Sequence, residues 1–155
     1  MNLLEVTGLN SYYADSHILF DVGFKIASHE VVALLGRNGA GKSTTLKAVM
    51  GLLARRRGEV RFMDRDISRA APHEIARAGL GYVPEERRIF SDLTVMENLE
   101  VGRQAARRWP DGSAAPGFTP EALFALFPNL GEMKGRPGGR MSGGEQQMLT
   151  VARTL

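Results

Sequence analysis

Residues 36–44 read Gly36-Arg37-Asn38-Gly39-Ala40-Gly41-Lys42-Ser43-Thr44. This stretch fits G-x-x-x-x-G-K-[ST] at every fixed position, and its neighbours sharpen it. Before it stands Glu30 to Leu35 (EVVALL), a short apolar, β-branched run that predicts a buried strand. After it, Leu46, Val49, Met50 and Leu53 recur at helical spacing, predicting a helix over 42–53. Strand, glycine loop and helix in that order form a phosphate cradle. Glycines let the backbone close around an anion, and successive N–H groups at the positive end of a helix point at it. Lys42 supplies a mobile cation for the β- and γ-phosphates, and the Ser43 hydroxyl a hard oxygen for Mg²⁺. The nucleotide-holding set is therefore Gly36, Asn38, Gly39, Ala40, Gly41, Lys42, Ser43 and Thr44.

Working outward, Leu3–Val6 and Ile18–Ile26 read as strands, with SYYADSH between them as a loop. Gly58–Phe62 and Leu80–Val83 read as further strands, and Pro72–Ala78 as a short helix stopped by Gly79. Thr94 and Glu97 form a capping box opening a helix toward Val101. Residues 103–118, rich in Pro, Gly, Ala and Arg, predict a surface loop. Thr119-Pro120-Glu121 opens another helix to about Phe127, residues 129–140 read as loop, and a closing helix starts at Ser142.

Composition sets bounds. The 155 residues are 43% hydrophobic and 24% charged, as in ordinary globular chains. With no cysteine, disulfides and thiolate metal sites are excluded. No apolar run is long enough to span a bilayer, and the N-terminus lacks the pattern of a signal peptide. Net charge is +3, with arginines in clusters such as Arg55-Arg56-Arg57. They are not interleaved with aromatics for base stacking, so they read as a solvated basic surface.

Two more segments narrow the class. Ser142-Gly143-Gly144-Glu145 pairs a capping box with two adjacent glycines, which cost helix stability unless bare N–H groups are to meet an anion. With its M-S-G-G-E against an L-S-G-G-Q signature, the chain resembles the ATP-binding subunits of ABC transporters over all 155 residues. HILFDV, LTVMENL, LFPNL and SGGEQQML resemble the branched-chain amino acid importer branch in particular.

That resemblance implies an α/β P-loop NTPase core with an N-terminal antiparallel β subdomain and a helical subdomain. It implies residues 1–84 as β subdomain and P-loop core, 85–140 as Q-loop and helical subdomain, and 141–155 as signature and start of its helix. Ser142, Gly143 and Gly144 would contact ATP held by a partner nucleotide-binding subunit in a head-to-tail pair. Glu85, after Pro84, takes the place where the family usually has Gln, as a catalytic and Mg²⁺-associated residue beside Lys42. Tyr13 would stack on adenine. Transmembrane permease subunits would be the further partners, at the cytoplasmic face of the inner membrane, with no nucleic acid expected.

The family's Walker B strand, catalytic carboxylate and switch histidine have no match here. The resemblance therefore implies an N-terminal part of a longer subunit, binding Mg-nucleotide weakly and hydrolysing it negligibly alone. Import of branched-chain amino acids is the leading expectation. The alternatives are a urea or amide importer ATPase, a soluble ABC protein acting on nucleic acid or ribosomes, and a non-hydrolysing nucleotide-binding module.

Overall fold

The computed structural model describes residues 2–109 and 111–155. The chain divides into two compact units, one ending at Leu80 and the other running Gly81–Leu155. Pro110, inside the loop expected over 103–118, lies outside the described residues; the rest of that segment forms neither helix nor strand.

The first unit is built on an antiparallel sheet of β1 (Asn2–Tyr13), β2 (Ser16–Ala27), β3 (Arg55–Phe62) and β4 (Arg65–Asp66), in the order β2-β1-β3-β4. Leu4 and Val6 of β1 pair with Ile26 and Phe24 on one side and with Phe62 and Val60 on the other. This register brings the even-numbered apolar residues onto one buried face. Beyond Val6 the register slips at Gly8, and burial passes to odd-numbered Leu9 and Ser11. Opposite the slip, Gly58 has φ +112°, and a Cβ there would sit 2.4 Å from the Gly8 carbonyl oxygen. Only glycine allows the two backbones so close. The bulge sets the phase that turns Tyr12 away from the core at the far end of the strand.

Helix α1 (Lys42–Val49) packs on this sheet, burying Ala48 and Val49, while Met50 and Leu53 complete the face just past its end. Helix α2 (Pro72–Ala78) begins and ends where its proline and Gly79 predict, with Ile75 fully buried. Burying a side chain of that size contributes about 2 kcal/mol.

Three expectations need correction. Glu30–Leu35 forms no strand among the described residues, and Val31 and Leu35 are 98% and 87% exposed. A run suited to burial on both faces becomes a strand only when neighbours offer a ladder. Leu80–Val83 is likewise not a strand. SYYADSH is largely strand, since β1 and β2 continue to a tight turn at Ala14-Asp15, with Ala14 at φ +50°.

In the second unit, α3 (Val95–Gly102), α4 (Pro120–Leu126), α5 (Pro128–Glu132) and α6 (Gly143–Thr154) surround one core. Val95, Leu99, Leu123, Leu130, Leu149 and Ala152 are its buried centre. Helix α5 and a 3₁₀ turn at Gly138–Arg140 occupy much of the segment expected as loop. The Thr94–Glu97 and Ser142–Glu145 capping boxes form, and Thr119 caps α4. The α/β class therefore stands: an antiparallel sheet with its loop-bearing helix, then a helical unit.

Candidate functional site

In the first unit the glycine loop turns at Asn38-Gly39, with Gly39 at φ +83° and Ala40 donating its N–H to the Arg37 carbonyl at 3.1 Å. Gly41 is the N-cap of α1 at φ +92°, and a Cβ on it would meet Leu19 of β2 at 2.9 Å. Glycine is needed there twice over, for conformation and for space. The Lys42 ammonium folds back over the loop and donates to the carbonyls of Gly36 (2.7 Å) and Arg37 (2.9 Å).

The head of α1 is electrostatically bare. It has no side-chain cap and no acidic residue in its first turn. In contrast, Glu74, Glu97 and Glu145 cap α2, α3 and α6 by accepting from Ala71, Thr94 and Ser142 N–H groups. None of the hydrogen bonds among the described residues uses the N–H of Lys42, Ser43 or Thr44. Unpaired donors, a positive helix end and an ammonium, with no internal acid, fit a polyphosphate and its counter-cation. Ser43 is exposed at this turn.

Tyr13 ends β1, opposite Ser16 across the hairpin, and is 46% exposed. Its neighbour Tyr12 has a ring face committed to His17, with centroids 4.4 Å apart and planes 16° apart. Tyr13 has no ring contact among the described residues, so of the two it is the ring available for stacking.

The other predicted residues lie in the second unit. Glu85 is exposed on a turn that continues into Arg87 and Arg88, both in the left-handed region at φ +64° and +51°. Two such residues in succession are strained and persist only when held. Helix α6 holds them: the Thr150 hydroxyl donates to the Arg87 carbonyl (2.9 Å), and the Arg153 guanidinium donates to the Arg88 carbonyl (2.6 Å). Arg153 also lies over the Phe90 ring at 5.1 Å. From α3, buried Asn98 accepts from Phe90 N–H (2.9 Å) and donates to the carbonyls of Phe90, Leu93 and Thr94 (3.0, 3.1 and 3.0 Å).

Ser142, Gly143 and Gly144 are exposed at the head of α6. The Ser142 hydroxyl accepts from Glu145 N–H (3.3 Å), and the Glu145 carboxylate accepts from Ser142 N–H (2.7 Å). That backbone hydrogen bond, more than the Ser142 hydroxyl and the nearby Arg136 charge, holds the Glu145 carboxyl below its ordinary value. A Cβ on Gly143 would come within 3.3 Å of the Arg87 guanidinium, which reaches Gln146 at 3.2 Å. A Cβ on Gly144 would meet nothing within 4 Å. Packing inside the chain therefore sets only the movable tip of Arg87 against the first glycine and nothing against the second.

The structure thus gathers Gly36–Thr44 and Tyr13 in one unit, and Glu85 with Ser142–Gly144 in the other. Sequence reasoning missed Arg87, Asn98, Thr150 and Arg153, which hold the Glu85 turn against the signature helix. The available signal was Asn98, a polar residue on the apolar face marked by Val95 and Leu99.

A profile of the ABC transporter family matches residues 19–155. The chain is 37% identical over 153 residues to a probable branched-chain amino acid transport ATP-binding protein, LivF, of Archaeoglobus fulgidus, covering 99% of this chain and 63% of that one. It is 34% identical over 159 residues to the lipopolysaccharide export system ATP-binding protein LptB of Haemophilus influenzae, covering 100% of this chain and 63% of the relative. A solved ATP-binding subunit of an ABC transporter superposes with a TM-score of 0.76 at 28% identity, over 98% of this chain and 61% of that one. The chain spans about 63% of the length of these curated relatives.

Proposed function

The chain belongs to the ABC transporter family, and from that membership we propose that it is the ATP-binding part of a subunit coupling ATP hydrolysis to import of branched-chain amino acids. The observation that carries the nucleotide role is the bare head of α1, with its free N–H groups, the Lys42 ammonium and no internal acid. The loop Gly36–Thr44 binds and orients the terminal phosphates, and Lys42 exchanges its two carbonyl partners for phosphate oxygens. Tyr13 stacks on the base. Ser43 is the residue of this loop that would hold Mg²⁺, which when bound would neutralise charge on the β- and γ-phosphates. Ser142, Gly143 and Gly144 offer a second anion-binding helix head, to a nucleotide held by a partner subunit, and closing over it excludes water. The helical segment from about Thr94 to Arg140 docks on membrane permease subunits at the cytoplasmic face. No helix among the described residues is long and apolar enough to cross a membrane.

The solute is the finer part of this reading. It is supported by the 37% identity to the branched-chain amino acid relative against 34% to the lipopolysaccharide one. The nucleotide role is tested by amide hydrogen exchange with and without Mg-ATP. Slower exchange at Gly39–Thr44, lost in Lys42→Ala, is the expected result, and no change at those amides overturns it. Leucine uptake by vesicles carrying the assembled transporter tests the solute; transport of a lipid substrate instead would overturn that part alone.

A further inference from the structure

Strand β3 opens with three consecutive arginines that meet three different fates. Arg56 is turned inward, where its guanidinium donates to the carbonyls of Ala48, Val49, Ile67 and Ala70. Arg55 and Arg57, two residues apart on the strand, share the opposite face. The Arg55 guanidinium lies 5.3 Å from the centre of the Tyr12 ring and donates to the Ala14 carbonyl at 2.6 Å. Its acidic neighbour Asp15, 3.3 Å away, is fully exposed, so that pair is weak and readily exchanged. Arg57 pairs with Asn10 across the strands, and its side chain has no hydrogen bond or ion pair among the described residues. Tyr12 is itself fixed, since its ring stacks on His17, which packs on Phe20 at 3.9 Å. Tyr12, Ala54 and the three arginines line a cleft of about 260 Å³.

We propose that this cleft binds a phosphate group, as an anion site separate from the loop at Gly36–Thr44. A guanidinium fork matches two phosphate oxygens at once. Arg57 supplies an uncommitted fork, and Arg55 a second one held in place by the tyrosine face and the Ala14 carbonyl. The ligand class is a phosphate monoester or diphosphate, carried either by a soluble compound or by an anionic lipid headgroup. The chemistry is the same for both sources.

Two probes separate them. Inorganic pyrophosphate is titrated into the ¹⁵N-labelled chain, and amide shifts are followed at Tyr12 and residues 54–57 independently of those at 36–44. Flotation with phosphatidic acid vesicles, against phosphatidylcholine vesicles, tests the lipid source. The expected result is a saturable response in at least one arm, weakened about tenfold in Arg57→Gln and largely kept in Arg57→Lys. Because Arg57 makes no side-chain bond to the rest of the chain, its loss leaves the fold and the shifts at 36–44 unchanged. Arg55→Gln provides an independent second variant with the same expected loss. Shifts confined to 36–44 with no selective flotation overturn the site, as does a response that both glutamine variants leave intact.

Discussion

Two fully buried polar side chains show how differently the same burial acts on single residues. Asn98 accepts from Phe90 N–H and from the Arg153 guanidinium, and shares its amide N–H groups among the carbonyls of Phe90, Leu93 and Thr94, all within the second unit. Ser11 is as deeply buried in the first unit, and its hydroxyl has no partner among the described residues. A buried group left unpaired costs about 1–3 kcal/mol. Asn98→Ala should therefore destabilise the second unit by about 3 kcal/mol, whereas Ser11→Ala should be neutral or stabilising by up to about 1 kcal/mol. Urea unfolding of each variant measures both. Glu97 and Glu145 carry a second single-residue effect. Backbone N–H groups at Thr94 and Ser142 bond to their charged forms and hold both carboxyls below the ordinary 4.5. Their folded values lie under the unfolded ones, so the stability they add is complete above the unfolded value and is lost as pH falls through the folded one. The urea midpoint should drop from about pH 5 downward, and the drop should be shallower in Glu97→Gln/Glu145→Gln.

At the scale of elements, α1 depends on a side chain outside it. Arg56 donates to the Ala48 and Val49 carbonyls at the helix C-terminus, where a cation also complements the helix dipole. Burial lowers its pKa from the arginine value, yet the guanidinium remains charged. Arg56→Gln removes the donor to the Val49 and Ala70 carbonyls, while those of Ala48 and Ile67 keep the N–H groups of Gly51 and Ala70, and should cost about 2 kcal/mol, read from thermal unfolding. The contrast also shows what a linear reading can see. The loop at 36–44, the caps at Thr94, Thr119 and Ser142, and α2 between its proline and glycine are local features, complete within a few residues. The run 30–35 reads as a strand and is none, because its pattern states a demand for burial and not the presence of a pairing partner. The solvated-surface reading failed for Arg56 because its acceptors lie 7 to 14 residues away. Arg153 was invisible for a stronger version of the same reason, as its contacts on Asn98 and Arg88 span 55 and 65 residues.

For the whole molecule, the exposed segment 31–35 dominates surface behaviour. Val31 and Leu35 present nearly their full side chains to water, with Val32 and Leu34 about half exposed. An exposed apolar segment outside any strand ladder invites pairing with another chain. Val31→Lys/Leu35→Lys should change folding stability by no more than about 0.5 kcal/mol per site and markedly reduce self-association, measured by sedimentation velocity across protein concentration. Strands first and helices after are readable from the residues, while the antiparallel arrangement and the helical unit as wholes come from the family resemblance. Within the helical unit, Gly102 ends α3 so close to α6 that a Cβ would fall 2.3 Å from the Arg153 Cγ and 2.6 Å from its carbonyl oxygen. The two helices therefore form a single heritable block. A chimera that takes the signature helix from one relative and the helix before the loop from another joins surfaces shaped for different neighbours, so viable crossover points lie outside 95–154 and not between these two helices.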